Sequence, residues 1–170
     1  DPFVGVGSTA IAAEGLGKVG IGLEISSEFA DKARTRPCSH NMFDSDELGQ
    51  RRIYNADANA LLSYVESDSV DLVVTSPPYI NVFNYHQNCR EAMELAGWDM
   101  LRVARSEFGS NRKNRGNRFL TVVQYCIDML LALLEMRRIV RSNGRIVIVI
   151  GRESRVRGVS FQNGRIVTAL

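Results

Sequence analysis

The tetrapeptide Ser76-Pro77-Pro78-Tyr79, called here the SPPY segment, combines residue types that can hold a planar amino group. The Ser76 hydroxyl and the Pro77 carbonyl are hydrogen-bond acceptors, and the proline rings restrict where these acceptors point. Tyr79 adds a flat aromatic face on which a nucleobase can stack. An ordinary turn with a packed tyrosine has the same composition, so other motifs must decide between the two interpretations.

An apolar run rich in β-branched residues, 70–75, leads directly into the SPPY segment. Its composition predicts a buried strand, and the prolines end that strand because they cannot donate to a sheet ladder. The SPPY segment is therefore expected at the carboxyl end of a central strand, where open α/β sheets bind their ligands.

A second motif, formed by Gly5 and Gly7, opens the chain. These glycines allow a tight turn and a close backbone approach to a ligand, although a Gly-x-Gly turn alone also fits a loop without function. We expect a helix to follow, capped by Ser8 or Thr9 and ended near Gly15. Because such a turn normally follows a strand, most of the feeding strand is expected upstream of this sequence.

Two acidic residues follow predicted strands at positions that suit a nucleotide. Glu24 ends the strand 18–24, and its distance from Gly7 is close to the roughly 20 residues at which nucleotide-binding folds place a ribose-binding carboxylate. Asp57 follows the strand 51–55 and can accept from an adenine amino group, with Ala58 offering its backbone. Capping of the next helix is an equally open role for Asp57.

The segment 109–118 is basic and contains no acidic residue. Arg112, Lys113 and Arg115 predict contacts with phosphate groups, and a solvated loop tip is the alternative.

The longest predicted helix, 119–140, has apolar residues at helical spacing. The stripe interpreted as its core face consists of Phe119, Val123, Cys126, Ile127, Leu130, Leu133, Leu134 and Met136. Asn143 and Gly144 are expected to terminate the helix before a fully buried strand, 145–151. Asn163 is expected either in a hairpin turn or as the cap of a short helix.

Composition predicts one soluble domain, 1–170, with a hydrophobic core. The 170 residues are 45% apolar and 24% charged, with a net charge of +2. No apolar run is long enough for a membrane span, and no leader peptide is evident. The cysteines and histidines have neither metal nor disulfide spacing, so we expect no metal site and a reducing, cytoplasmic location.

Together these motifs resemble the AdoMet-dependent DNA methyltransferases that modify exocyclic amines. Phe3-x-Gly5-x-Gly7 looks like the AdoMet motif of that family, and the SPPY segment with Thr75 before it looks like the catalytic motif. The resemblance covers nearly the whole chain. It implies a Rossmann-like class I methyltransferase fold, incomplete at both ends, with a mostly parallel sheet and helices on both faces.

The resemblance also implies a site and partners. S-adenosyl-L-methionine (AdoMet) would be bound by Pro2, Phe3, Gly5, Gly7, Glu24, Asp57 and Ala58, and Ser76, Pro77, Pro78 and Tyr79 would be catalytic. The segment 97–118 would be a DNA-contacting insertion. DNA would be the substrate, with a cognate restriction endonuclease or other subunits as further partners.

The spelling Ser-Pro-Pro-Tyr is typical of cytosine N4 methylation, and adenine N6 methylation is the nearest alternative. An RNA or protein-amide methyltransferase and a degenerate nucleic-acid-binding remnant are further alternatives. Ala10 stands where a nicotinamide-binding Rossmann motif has its third glycine, which disfavours that class.

Overall fold

Helices and strands alternate along most of the described chain. The computed structural model describes residues 1–38, 49–80, 95, 97, 119–156 and 158–170. Its strands are β1 (Val19–Glu24), β2 (Gln50–Asn55), β3 (Val70–Thr75), β4 (Val140–Ile148), β5 (Ser154–Val156) and β6 (Val159–Phe161). Its helices are α1 (Ser8–Gly15), α2 (Ser27–Thr35), a 3-10 helix (Ala58–Ser63), α3 (Phe119–Ile139) and α4 (Asn163–Ala169). The predicted mixed α/β class is therefore confirmed.

The longer strands form two parallel pairs, as alternation of strands and helices predicts. β1 pairs with β2, and Gly22 lies opposite Ile53. β3 pairs with β4, and Val74 lies opposite Val147. The third pair, β5 and β6, is a short antiparallel hairpin that the sequence did not suggest.

The contacts of the chain divide it into two compact units. The first unit comprises Asp1–Pro77 and Leu134–Val149, and the second comprises Pro78–Leu133 and Ile150–Leu170. The first contains both parallel strand pairs with α1 and α2, and the second contains the hairpin and α4.

Glycines in β1 let two neighbouring segments of the first unit approach the strand closely. A Cβ on Gly20 would lie 2.5 Å from the Ala10 carbonyl oxygen of α1, and one on Gly22 would lie 2.7 Å from Val4 Cβ. Val4 and Ala10 belong to a buried cluster with Ala30, Ala33 and Ile53. Small residues therefore set the spacing between β1 and the elements packed on it.

The residues that lead into the glycine turn lie alongside β1. The backbone nitrogen of Leu23 donates to the Asp1 carbonyl at 3.0 Å, and the Asp1 nitrogen donates to the Ile21 carbonyl at 2.8 Å. Val4 in turn donates to the Leu23 carbonyl at 3.0 Å. Asp1 therefore bonds to the residues before and after Gly22. This is the hydrogen-bond pattern of parallel strands, so Asp1 is extended beside Gly22.

The start of α1 differs from the prediction. Gly7, with φ +92°, occupies the cap position, and no side chain caps this helix. Ser8 is already the first helical residue, so the predicted cap by Ser8 or Thr9 is wrong. Glycine tolerates the left-handed conformation that brings the chain from the turn into the helix.

The predicted core face of α3 is wrong in part. Met136 is buried as predicted, and Cys126 and Leu133 pack against a buried cluster, whereas Val123, Ile127, Leu130 and Leu134 keep 53, 48, 37 and 56% of their surface exposed. The buried apolar residues among positions 122–139 are Tyr125, Met129, Ala132, Met136 and Ile139. Apolar residues surround most of this helix. Periodicity alone therefore does not identify the face that its neighbours cover.

The helix also ends differently, because β4 begins at Val140, directly after α3. Asn143 and Gly144 lie inside β4 at an irregularity in its pairing with β3 and do not terminate the helix. The prediction of a fully buried strand is wrong as well, since Val147 and Val149 are 45 and 57% exposed. An apolar run indicates a strand suited to burial, but tertiary packing decides which faces are covered.

In the second unit, a cluster of buried apolar side chains joins α3 to the hairpin. It consists of Ile80, Tyr125, Met129 and Val156. The partly buried Phe161, Ile166 and Val167 pack against this cluster, so β6 and α4 share the same core.

Candidate functional site

The predicted cofactor-binding turn and the acid at the tip of β1 lie in direct contact. The Gly5 N–H donates to Glu24 Oε2 at 3.0 Å, and the Ser26 N–H donates to Glu24 Oε1 at 2.8 Å. Gly5 has φ +54°, and a Cβ built there meets no described atom within 4 Å. The structure therefore joins the glycine turn to the carboxylate and leaves open space beside the turn.

Burial raises the pKa of Glu24 above its ordinary value of 4.5, and backbone hydrogen bonds from Ser26, Gly5 and Ile25 oppose that increase. The carboxylate therefore lies in a partly desolvated position, where a hydrogen bond is stronger than in water.

The pH dependence of stability should report this environment. A folded-state pKa above the unfolded value means that the folded protein binds more protons, so the contribution of Glu24 to stability falls as pH rises through that pKa. Urea unfolding measures the free energy of unfolding of the wild type and of Glu24→Gln. The wild-type value minus the Glu24→Gln value should decline as the pH rises above about 4.5. A difference that grows with pH would show that the backbone donors outweigh desolvation.

The tips of β1 and β2 are tied together beside Glu24. The Asn55 side chain donates to the carbonyls of Glu24 and Ile25 at 2.9 and 3.0 Å. Asp57 lies just beyond and accepts from the Asn59 N–H at 2.8 Å, which caps the 3-10 helix. Its capping role is confirmed, and its predicted adenine contact stays a prediction. Ala58, the other residue assigned to adenine, is buried.

The other residues of the predicted AdoMet motif adjoin this turn. Pro2 is buried and Phe3 is half-buried. The Phe3 N–H donates to Asp1 Oδ1 at 3.0 Å, so the Asp1 carboxylate fixes the backbone entering the turn.

The end of β3 is linked to the same segment. Thr75 is 2% exposed, and its hydroxyl donates to Asp1 Oδ1 at 2.6 Å. Ser76, the next residue, is exposed, and Pro77 is buried. One carboxylate therefore connects the glycine turn to the strand end that carries the predicted amine acceptors.

Loss of this link should weaken the first unit modestly. Thr75→Val keeps the side-chain volume but removes the donor to Asp1, whose Oδ1 still accepts from the Phe3 N–H. We expect a loss of about 1 kcal/mol in unfolding free energy by urea titration. Thr75→Ser keeps the hydroxyl and should retain most of the link. Equal losses in the two variants would assign the effect to packing of the threonine methyl group.

Tyr79 belongs to the second unit and packs against a glycine. A Cβ built on Gly151 would lie 3.3 Å from Tyr79 Cε2 and 3.6 Å from Cδ2 and Cζ, so one edge of the ring faces that position. Burial raises the pKa of Tyr125 well above its ordinary value, and the neighbouring Cys126 and Tyr79 add to that increase. The Tyr79 ring is half-buried.

Asn163 has neither of its predicted roles. It is the first residue of α4 and is fully buried, and its side chain caps no N–H of the helix. Instead it donates to the Gly151 carbonyl and to Ser154 Oγ, both at 2.9 Å.

Sequence reasoning did not predict the contacts that support the site. Thr75 was named only as part of the catalytic motif, and its hydrogen bond to Asp1 was not expected. The contact of Asn163 with Gly151 left no signal in the sequence, because it depends on the tertiary structure.

The remaining predicted site residues, Arg112, Lys113 and Arg115, lie outside the described residues, as does most of the segment 97–118. Within the described ranges, no three His, Cys, Asp or Glu side chains are grouped so that they could hold a metal ion. No helix in the same ranges has the length and apolarity needed to cross a membrane.

Comparisons with protein-family models, with curated proteins and with solved structures found no match to this chain.

Proposed function

We propose that this protein is an AdoMet-dependent methyltransferase that modifies the exocyclic amine of a DNA base, with cytosine N4 as the preferred target. The observation that carries the proposal is the direct contact of the glycine turn with Glu24, together with the Asp1–Thr75 bond that links this turn to the strand end before Ser76. The finer fold assignment, a Rossmann-like methyltransferase domain, belongs to the same proposal.

The geometry of the turn fits AdoMet. Backbone N–H groups of Gly5, Ser26 and Ile25 bond to the Glu24 carboxylate, which has about four acceptor positions, so an acceptor position remains for the ribose. The open space beside Gly5 would allow the cofactor to approach the backbone. Pro2, Phe3 and Gly7 would shape the same turn, and Asp57 and Ala58 would bind the adenine.

AdoMet, when bound, would supply an electrophilic methyl group. Ser76 Oγ and the Pro77 carbonyl would accept the two amine hydrogens and so direct the nitrogen lone pair away from the ring. Pro78 would stiffen the backbone, and Tyr79 would stack on the base. The base would have to leave the duplex first, as in other enzymes that react at a base. Positioning and preorganised acceptors would contribute most of the catalysis.

The target base and the substrate class follow from the residue before the prolines. Serine there resembles cytosine N4 enzymes, so adenine N6 methylation is the first alternative and RNA or a protein amide the second. A cognate restriction endonuclease or other subunits would be further partners.

The proposal predicts methylated nucleosides. The full gene product is incubated with AdoMet and, separately, with DNA, RNA or protein, and each digest is analysed by mass spectrometry. We expect N4-methylcytosine from DNA. Ser76→Ala, which changes an exposed side chain, should fold normally and give less product. DNA, RNA and protein all free of new methyl groups would contradict the proposal and favour a non-catalytic remnant.

The basic segment should contribute nonspecific affinity for DNA. Neutralising Arg112, Lys113 and Arg115 should flatten the slope of log affinity against log salt by about 0.9 for each phosphate group that the variant no longer neutralises. Fluorescence anisotropy at several salt concentrations measures that slope, and neutralising Arg34, Arg36 and Lys32 on and beside α2 provides a matched control. An unchanged slope in the first variant would mean that the segment is merely solvated.

A further inference from the structure

Asn163 makes a connection within the second unit that its position in the helix does not require. Its side chain is 0% exposed, and both amide hydrogens are used, one for the Gly151 carbonyl and one for Ser154 Oγ. The orientation of the amide is unambiguous, because the Gly151 carbonyl can only accept. Asn163 thus fixes the peptide that follows Gly151 to the start of α4.

Gly151 is also the residue against which Tyr79 packs. A Cβ there would lie 3.3 Å from Tyr79 Cε2, closer than most contacts of a real Cβ, so the ring occupies space that a side chain at position 151 would need. Gly151 is therefore a direct neighbour of the ring, and a shift of its backbone changes the surface against which the ring packs.

We propose that Asn163 is a positioning residue that sets the orientation of Tyr79 through Gly151. This inference rests on the proposed function, in which the Tyr79 ring stacks on the target base. A ring whose orientation is already set loses less rotational freedom when a base stacks on its face, so a fixed Gly151 reduces the cost of binding. Asn163 itself touches neither base nor cofactor in this role.

A purely structural role for Asn163 would make a different prediction. Ser154, its other partner, lies in the hairpin, and a bond that only stabilised the hairpin would affect unfolding without moving Tyr79. The orientation of the Tyr79 ring therefore distinguishes the two roles, whereas the free energy of unfolding alone does not.

The test uses Asn163→Leu, which keeps the approximate volume but removes both donors, and Gly151→Ala, which pushes directly on the ring. Ser154→Ala is the matched control, because it removes the Asn163 partner that does not involve Gly151. The protein is labelled with 3-fluorotyrosine, and disappearance of a resonance in Tyr79→Phe assigns Tyr79 among the five tyrosines. The fluorine chemical shift then reports the environment of the Tyr79 ring in the absence of any substrate.

Asn163→Leu and Gly151→Ala should each move the Tyr79 resonance, and Ser154→Ala should leave it in place. In the methylation assay the first two variants should lose about three- to tenfold in kcat with unchanged AdoMet affinity. In a Tyr79→Ala background the same two changes should have no further effect on kcat.

A Tyr79 resonance that does not move in Asn163→Leu, or a kcat loss that persists in the Tyr79→Ala background, would overturn the positioning role. If Asn163→Leu does not fold, the smaller Asn163→Ala, which also removes both donors, takes its place with the same two outcomes. Absence of methyl transfer by the wild type, together with a Tyr79 resonance that moves as expected, would overturn the proposed function and still support the control of Tyr79 by Asn163.

Discussion

Replacing Tyr79 by alanine should lower methyl transfer by roughly ten- to a hundred-fold and leave AdoMet affinity nearly unchanged. Stacking of a base on an aromatic side chain contributes about 1–3 kcal/mol, and this contribution disappears with the ring. The residues proposed to bind AdoMet lie in the first unit, and Tyr79 lies in the second, so the two functions should separate. Single-turnover transfer and titration calorimetry measure them independently.

The matched variant for this prediction is Tyr79→Phe, which keeps the ring against Gly151 and removes only the hydroxyl. It should keep most of the activity, because the proposed contact is the face of the ring. If phenylalanine proves as damaging as alanine, the hydroxyl is the important group and the stacking role is wrong. Urea unfolding of both variants checks that removal of a half-buried ring has not unfolded the second unit.

Replacing Glu24 by alanine should weaken AdoMet binding by about 1–3 kcal/mol, the range for hydrogen bonds to a charged group. The variant lacks the acceptors for the ribose hydroxyls and also those for the Gly5 and Ser26 N–H groups. The effect should therefore appear mainly in AdoMet affinity, with a smaller loss of stability from the freed turn.

Two controls separate these contributions. Glu28→Ala removes an acidic residue of α2 that pairs with Lys32, so it tests the loss of one negative charge nearby. Glu24→Gln keeps the length of the side chain and one acceptor, and should lie between the wild type and alanine. Titration calorimetry that gives the same AdoMet affinity for Glu24→Ala and Glu28→Ala would remove Glu24 from the cofactor site.

Local chemistry in the sequence was enough to predict the elements that surround the motifs. Pro77 and Pro78 end β3 at the predicted residue, because neither can donate to the ladder. Asp57 caps the 3-10 helix by accepting from the Asn59 N–H, which is one of the two roles that the sequence left open for it. Where one or two residues impose backbone geometry, neighbours along the chain are sufficient to determine the structure.

The contact between Gly5 and Glu24 was predictable in part for a related reason. Glu24 ends a predicted strand, and Gly5 lies in a turn that is expected to follow one. Parallel strands bring such ends to the same edge of a sheet. The pattern predicted their proximity but not that the carboxylate would accept the N–H of the turn itself. Their binding of AdoMet stays a prediction.

Only the tertiary structure decided which apolar faces are covered and which distant polar groups meet. The sequence of α3 is apolar on most sides, so its buried face depends on the partners that pack against it. The same holds for Thr75 with Asp1 and for Asn163 with Gly151, since a hydrogen bond between distant residues leaves no periodic trace in sequence. Hydrophobicity and propensity act on neighbours along the chain, whereas these contacts depend on segments that only folding brings together.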